Sequence, residues 1–388
     1  MEIYVVKQGD TVDSIASAKG IPVSSVIYNN QLFYPYALAI GQALLLSTQE
    51  SSSSFYPASI NGYAYPFIEQ SVLDETLPFL TSLSVFSYGF TPEGALVPPA
   101  LDDTFMITAA ENAGVLPILT LTPFGSDGMF NNNLITSLVN NEAVKKTLLA
   151  NLLSTLQTKG FQGVDIDFEY ILPQDRIPFA DFVADTRNYL APYGYHVSVA
   201  LAPKTSDDQQ GLLYEGKDYQ LLGQAADSVL LMTYEWGYTY GPPMAVAPIN
   251  KVREVVEYAI TRIDPAKIDL GIPNYGYDWP LPYERGVTAA RVIGNVEAVQ
   301  IAVAAGVPIQ FDETAMSPFF RYEQDGISHE VWFEDVRSLR EKFSLLPSYR
   351  LRGIGYWQIM RFFRANWLLL QDTFQIRKGR AESFTPLP

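Results

Sequence analysis

The sequence predicts an α/β protein, namely a (β/α)8 barrel with a small α+β insertion between strands seven and eight, preceded by a βααβ domain. From about residue 58, short apolar stretches alternate with helical ones, a pattern typical of a parallel sheet covered by helices. Eight such units in roughly 330 residues suit a closed barrel. A doubly wound open sheet is the alternative. It is disfavoured because no Gly-x-Gly-x-x-Gly turn follows the first strand.

The predicted barrel strands lie at residues 59–65, 82–88, 114–120, 163–169, 196–202, 228–234, 267–273 and 353–359. Helices are predicted between them, for example at residues 142–159 and 177–193. The long interval before the eighth strand contains a predicted helix at 289–305 and a predicted hairpin at 319–333 that turns at Asp325-Gly326. We interpret this interval as an insertion that forms one wall of a cleft.

The sequence predicts that residues 2–46 form a separate small domain. A strand at 3–6 leads into the turn Gly9-Asp10, and Thr11 is a suitable N-cap for a first helix. A second helix begins at Ser24 or Ser25, and a second strand follows at 41–46. The predicted domains are therefore residues 1–47, a serine-rich linker at 48–57, and a barrel domain at 58–388.

Composition disfavours several classes of function. The chain has no cysteine and two histidines, which argues against thiolate chemistry, multi-histidine zinc sites and a serine–histidine triad. A formal net charge of −16 argues against nucleic acid as a partner. No apolar run approaches the ~20 residues of a membrane span, so no membrane partner is expected. We expect no cofactor, no bound metal and no secretory signal peptide.

The most informative stretch is the predicted fourth strand. Side chains of a strand alternate between two faces, so Asp165, Asp167 and Glu169 share one face, opposite an apolar face. A row of like charges does not stabilise a fold unless protons are shared or partners are supplied. A solvated edge strand is one interpretation. The other is a row of carboxyls at the C-terminal mouth of a barrel, where such barrels carry their chemistry.

The stretch Gln162-Gly-Val-Asp165-Ile-Asp167-Phe-Glu169 resembles the Asp-x-x-Asp-x-Asp-x-Glu signature of family 18 glycoside hydrolases, which are chitinase-like TIM barrels. Its last three acids match, whereas Gln162 stands where the family has its first Asp. The resemblance implies retaining, substrate-assisted hydrolysis next to N-acetylglucosamine. It implies that Glu169 is the general acid/base, that Asp167 orients the acetamido N–H, and that Asp165 shares a proton with Asp167.

Two further matches extend this resemblance. Met232-Thr-Tyr234-Glu235 is similar to the family's Met-x-Tyr-Asp, which implies that Tyr234 holds the acetamido oxygen. Glu235 replaces the family's Asp on a longer arm. Trp357, near the end of the eighth strand, matches the tryptophan that lies under the reacting sugar. Weaker candidates for the cleft wall, named from their position after a strand, are Asn274, Tyr275 and Tyr65.

The N-terminal unit resembles a LysM repeat. The matching positions are Tyr4-Val-Val, Gly9-Asp10-Thr11, Ile15-Ala, Asn30 and Gly41-Gln-Ala-Leu. The resemblance implies binding of glycans that contain N-acetylglucosamine, such as peptidoglycan and chitin, near Gly9, Asp10, Thr11 and residues 33–40. A tethered module of this kind would raise the local concentration of substrate.

The combination of both domains resembles the spore-cortex N-acetylglucosaminidases and spore-germination hydrolases. It implies cortex peptidoglycan as substrate, synthesis in the cytoplasm, deposition in the spore coat or cortex, and coat proteins as partners. Two alternatives remain open. A chitinase or chito-oligosaccharide hydrolase would share every catalytic residue named above. A chitinase-like lectin would be inactive, but such lectins usually lack the terminal Glu, which is present here as Glu169.

Overall fold

The structure is a computed structural model that describes residues 1–47, 55–125 and 131–379. Residues 48–54 of the predicted serine-rich linker lie outside the described residues. The N-terminal unit has the predicted βααβ order, with strands Glu2–Val5 and Ala43–Leu46 paired antiparallel around helices Val12–Lys19 and Val23–Asn29. Thr11 is the N-cap of the first helix, because its side chain accepts a hydrogen bond from the Ser14 N–H.

Eight parallel strands close into a barrel, which confirms the predicted fold class. The first barrel strand pairs with both the second and the eighth, so the barrel sheet is closed through this strand. Barrel strands 1 to 8 are Tyr56–Ala64, Ser82–Phe90, Leu116–Leu121, Gly163–Ile166, His196–Leu201, Ser228–Leu231, Ile268–Pro273 and Gly353–Trp357. Two short strands extend this sheet, Leu96–Val97 beside strand 2 and Phe374–Ile376 beside strand 1.

Barrel strand 4 is shorter than predicted. It ends at Ile166 rather than at residue 169, because Ile166 pairs with Leu121, the last residue of strand 3. The Asp167 N–H still donates to the Leu121 carbonyl oxygen at 2.9 Å, but no regular ladder continues beyond it among the described residues. The alternation of side chains persists: Phe168 faces outward against helix Arg176–Leu190, whereas Asp167 faces the barrel mouth.

Helices surround the barrel and supply the outer half of its core. Phe168 stacks on Phe179 and Phe182 of helix Arg176–Leu190, with ring centroids 5.7 and 5.9 Å away. No helix in the described ranges is long and apolar enough to span a membrane. The helices of the barrel domain are Gln70–Thr76, Thr104–Asn112, Asn132–Val139, Glu142–Lys159, Arg176–Leu190, Tyr219–Ala225, Ile249–Ala259, Val336–Tyr349 and Arg364–Thr373.

The insertion between strands 7 and 8 is a five-stranded antiparallel sheet covered by helix Asn295–Ala305. The predicted hairpin turns at Asp325-Gly326, where both residues have positive φ, and this prediction is confirmed. The predicted helix at 289–305 is wrong in its first part, because Arg291–Ile293 forms a strand and the helix begins only after Gly294. The remaining strands are Gly276–Pro280, Gln310–Asp312, Ser317–Gln324 and Ile327–Trp332.

The N-terminal unit is packed against the barrel and the insertion rather than merely tethered to them. The N-terminal ammonium of Met1 forms an ion pair with Asp372 at 2.6 Å. The Arg364 guanidinium lies 4.2 Å from the ring centroid of Tyr28, a cation–π contact. The Gln31 side chain accepts a hydrogen bond from the Arg364 N–H at 2.6 Å. The orientation of this unit is therefore set by direct contacts.

Gly41 marks the closest approach between the N-terminal unit and the insertion. The Ile309 N–H donates to the Ile40 carbonyl oxygen at 2.8 Å, and a Cβ added at Gly41 would lie 1.9 Å from the Ile309 carbonyl oxygen. Gly41 also has a φ of +82°, which favours glycine.

We expect Gly41→Ala to lower the free energy of unfolding much more than Gly20→Ala. Gly20 also has a positive φ, of +65°, but a Cβ there would meet nothing within 4 Å. The backbone strain costs about 1–2 kcal/mol in both variants. The clash with Ile309 adds roughly 1–3 kcal/mol in Gly41→Ala alone. Chemical denaturation of both variants measures the difference, and equal losses would contradict the docked arrangement.

Candidate active site

The three acids of the motif line up along the inner side of barrel strand 4 and the segment that follows it. Asp165 is buried on the strand itself, where its carboxylate accepts hydrogen bonds from the Tyr63 hydroxyl at 2.8 Å and the Ser198 hydroxyl at 2.6 Å. Asp167 follows the strand and is also buried, while Glu169 is half-buried at the mouth. The row thus rises from the barrel interior to solvent, as the alternation predicted.

The electrostatics of this row favour the retention of a proton. Burial raises the pKa of Asp167 well above its usual range, and the charges of Glu169 and Asp165 raise it further. Burial also raises the pKa of Asp165, although hydrogen bonds from Ser198 and Tyr63 oppose this effect. The Asp167 Oδ1 atom is buried without a hydrogen-bond partner among the described residues. The acids of the row therefore titrate as a coupled unit rather than one by one.

A pocket of about 550 Å³ opens above the row at the C-terminal mouth of the barrel. This position is where barrels of this architecture carry their functional groups. Tyr234 is buried in the wall, and burial raises the pKa of its hydroxyl well above the usual range, so the hydroxyl remains a hydrogen-bond donor. The predicted residues that line this pocket are Asp167, Glu169, Met232, Tyr234, Glu235 and Trp357.

Aromatic rings surround one side of the pocket. The Trp357 ring lies 5.8 Å from Tyr63, 6.1 Å from Tyr65 and 4.9 Å from Phe86, measured between ring centroids. Tyr65 itself lies in a neighbouring apolar groove, where it stacks on the exposed ring of Phe67. Trp357 therefore presents a half-buried ring at the boundary between the pocket and the groove, a suitable platform for the apolar face of a sugar.

Asn274 and Tyr275 lie behind the pocket wall rather than on it, which corrects their predicted placement. The Asn274 amide donates to the carbonyl oxygens of Gln358 and Arg361, at 3.0 and 2.8 Å, and so fixes the segment that follows Trp357. The Tyr275 hydroxyl donates to the Glu235 carboxylate. Both side chains are buried because they make these contacts, and both support residues that do line the pocket.

Glu235 is held by two tyrosines at the start of the insertion. Its carboxylate accepts hydrogen bonds from Tyr275 and, at 2.8 Å, from Tyr277, and its backbone φ is +67°. Burial raises the pKa of Glu235, whereas the two hydroxyl donors lower it. The longer arm of Glu235 thus spans from the loop after strand 6 to the insertion, and its carboxylate is held at a defined place on the pocket wall.

Sequence reasoning missed two polar residues near the row, Ser198 and Lys217. Alternation along strand 5 puts Ser198 on the inward face, so the sequence pattern could have predicted that its side chain points into the barrel. Lys217 comes from the irregular segment after strand 5, and its side chain is fully buried near the acids. Nothing in the sequence periodicity marks it. Gln162, the departure from the motif, donates to the Gly160 carbonyl oxygen at 3.0 Å before the strand begins.

The predicted glycan-binding residues of the N-terminal unit form one tight loop. Gly9 has a φ of +85°, and the Asp10 carboxylate accepts hydrogen bonds from the Lys7 N–H and the Tyr4 hydroxyl. The bond from Lys7 and then the one from Tyr4 lower the pKa of Asp10. Thr11 caps the following helix. The side chains of Asp10 and Thr11 thus shape the loop, and the exposed rings of Phe33 and Tyr34 lie on the other predicted loop.

Comparison with known proteins gives the family. The model of the glycosyl hydrolases family 18 matches residues 123–361, more than half of the chain, and the LysM domain model matches residues 4–47. The chain belongs to family 18 of the glycosyl hydrolases and carries a LysM domain at its N-terminal end. It is a glycoside hydrolase, and its substrate is a glycan.

Individual relatives are similar over almost their whole length. A cortical fragment-lytic enzyme from Bacillus subtilis is 37% identical, with 97% of this chain and 99% of the relative covered. A putative sporulation-specific glycosylase, YdhD, from the same organism is 34% identical over 97% of this chain and 88% of the relative. The crystal structure of the spore cortex-lytic enzyme SleL from Bacillus megaterium superposes with a TM-score of 0.91 at 33% identity, covering 97% and 98% of the two chains.

Proposed function

We propose that this glycoside hydrolase cleaves β-1,4 bonds on the reducing side of N-acetylglucosamine in spore-cortex peptidoglycan, with retention of configuration. The observation that carries the proposal is the row of Asp165, Asp167 and Glu169, which rises into one pocket beside Tyr234 and Trp357. The names of the similar proteins, a cortical fragment-lytic enzyme and a spore cortex-lytic enzyme, support the choice of cortex as substrate.

The proposed reaction is substrate-assisted. Glu169 donates its proton to the glycosidic oxygen while the acetamido oxygen of the same sugar attacks the anomeric carbon and forms an oxazolinium ion. The Asp167 carboxylate stabilises the positive charge at the acetamido N–H, and the Tyr234 hydroxyl holds the acetamido oxygen. The Glu169 carboxylate then removes a proton from water, which attacks the same anomeric carbon from the face that the leaving group vacated. Both inversions together retain the configuration.

The remaining residues bind and orient the glycan in this proposal. Trp357 is the platform under the reacting sugar. Met232 and Glu235 contact the same sugar from the pocket wall. The LysM domain binds a further N-acetylglucosamine unit of the glycan through the loop of Gly9, Asp10 and Thr11. Because this domain is packed against the barrel, the two glycan sites keep a constant separation.

We expect Glu169→Gln to lower turnover by at least about 10²-fold while glycan binding is kept, because the amide cannot supply the proton. Purified cortex fragments and chitin oligosaccharides are incubated with the wild type, Glu169→Gln and the surface control Glu254→Gln. Mass spectrometry then identifies the products. New reducing-end N-acetylglucosamine from cortex is expected with the wild type and the control.

Other outcomes of this experiment lead to different conclusions. Cleavage of chitin alone would make the protein a chitinase or chito-oligosaccharide hydrolase, which shares the same catalytic residues. Binding of both glycans with cleavage of neither would favour a lectin. Turnover that survives in Glu169→Gln would refute the assignment of the acid.

The network around Asp165 predicts a pH effect. The mechanism needs a negative charge on the Asp165–Asp167 pair, and the Tyr63 hydroxyl lowers the pKa of Asp165. Tyr63→Phe removes this donor, so the pKa of Asp165 rises and the acidic limb of the kcat profile moves to higher pH, by about one unit. Tyr56→Phe is the control. Tyr56 lies on the same strand as Tyr63, but its hydroxyl donates to the Leu351 carbonyl oxygen and not to an acid of the row. An unmoved limb in Tyr63→Phe would count against the proton-sharing pair.

We further propose that the protein is made in the cytoplasm, is deposited in the spore coat or cortex, and is held there by coat proteins. The spore-related names of the similar proteins support this location. Quantitative immunoblotting of fractionated spores and of growing cells tests it. We expect the protein in the spore fraction, and abundance mainly in growing cells would contradict the proposal.

A further inference from the structure

Lys217 is a fully buried lysine beside the pocket that contains the acid row. Its ammonium group donates to the Ala200 carbonyl oxygen at 2.9 Å, and Ala200 lines the same pocket as Asp167 and Glu169. An ammonium group has three N–H donors, and Ala200 is its one hydrogen-bond partner in the part of the chain that the structure describes. A buried charge with so few partners requires a compensating charge close by.

The acid row supplies that charge. The negative charges of Asp167, Glu169 and Asp165, in that order, raise the pKa of Lys217, whereas burial lowers it more strongly, to about 8. The ammonium in turn lowers the pKa of Asp167, whose Oδ1 atom has no hydrogen-bond partner within the described residues. The other titratable groups around Asp167 are the hydroxyls of Tyr63, Tyr65 and Tyr234.

Close packing of the backbone just before Lys217 fixes the position of this residue beside the acid row. A Cβ added at Gly216 would lie 2.2 Å from the Ile171 carbonyl oxygen, so the segment before Lys217 presses against the segment that follows Glu169. Lys204, a second buried lysine, donates to the Lys217 carbonyl oxygen at 3.0 Å and to the Asp207 carbonyl oxygen at 3.2 Å. Lys204 therefore supports the backbone of the loop, whereas the ammonium of Lys217 is directed toward the barrel interior at Ala200.

We propose that Lys217 is a positioning residue whose buried ammonium stabilises the carboxylate form of Asp167. The reaction needs this form, because Asp167 must be anionic to stabilise the acetamido N–H. The inference rests on the roles proposed above for Asp167 and Glu169. It adds a residue that no motif of the sequence marks.

The test compares the pH dependence of kcat and KM in Lys217→Gln, Lys217→Met and the matched control Lys204→Met. Loss of the ammonium raises the pKa of Asp167, so the acidic limb of kcat should move to higher pH by about one unit or more. At a pH below the limb, kcat should fall roughly tenfold or more, with little change in KM. The limb should stay in place in Lys204→Met, whose ammonium contacts loop carbonyls.

A purely structural role would give another result. If Lys217 only held its loop, the thermal stability of its variants would fall and kcat would decrease equally at every pH. An acidic limb that stays in place in a folded Lys217→Gln protein would therefore overturn the inference, even where Glu169→Gln is inactive. Turnover in Glu169→Gln would instead refute the proposed function itself.

A reciprocal measurement leaves Lys217 unchanged. In Asp167→Asn the ammonium loses the largest charge that raises its pKa, so its titration midpoint should fall below about 8. NMR of protein with ¹³C-labelled lysine follows this midpoint. The pKa of Lys378 is also lowered to about 8, so Lys378→Gln distinguishes the two signals. An unchanged midpoint in Asp167→Asn would overturn the inference even if both Lys217 variants failed to fold.

Discussion

The free-energy cost of removing carboxyl groups from water determines which side chains surround the acid row of this barrel. Carboxylates removed from water are stable only when hydrogen bonds, opposite charge or protons replace the lost hydration. Here each acid receives a different replacement. Two hydroxyls donate to Asp165, the deepest acid, while the positive charge of Lys217 lowers the pKa of Asp167. Glu169 is half-buried at the mouth. This gradient from interior to solvent gives the three carboxyls of one short segment three different environments.

Much of this arrangement could be predicted from the sequence, because the period of two is a property of extended backbone rather than of sheet pairing. The ladder of strand 4 ends at Ile166, yet Asp167 and Glu169 continue on the inner side, and Phe168 packs outward against helix Arg176–Leu190. The predicted strand was therefore too long, while its assignment of faces was right. Helix Glu142–Lys159 has the predicted bounds, since Asn141 caps its start and Gly160 ends it in a left-handed conformation.

What could not be predicted depends on contacts between segments far apart in the chain. The backbone of Gly216 must approach Ile171 before Lys217 enters the barrel, and no local pattern encodes that approach. The insertion is a similar case. Its first strand begins at Gly276, so Tyr275 and Tyr277 lie where the barrel becomes the insertion, and both hydroxyls meet Glu235. A glutamate in place of the usual aspartate makes sense in this setting, because the longer arm reaches donors that come from a different structural layer.

The docked LysM domain changes how its contribution to glycan binding is understood. A flexibly tethered module raises the concentration of substrate over a range of distances, whereas a fixed one does so only for a chain that spans both sites in one geometry. Here the ion pair of Met1 with Asp372, the ring contact of Arg364 with Tyr28 and the close approach of Gly41 to Ile309 hold the domain in one orientation. With the LysM loop as the proposed second glycan site, this fixed geometry would favour glycans of matching length and stiffness. A short oligosaccharide would gain nothing from the second site, so a preference for long chains would test that proposal.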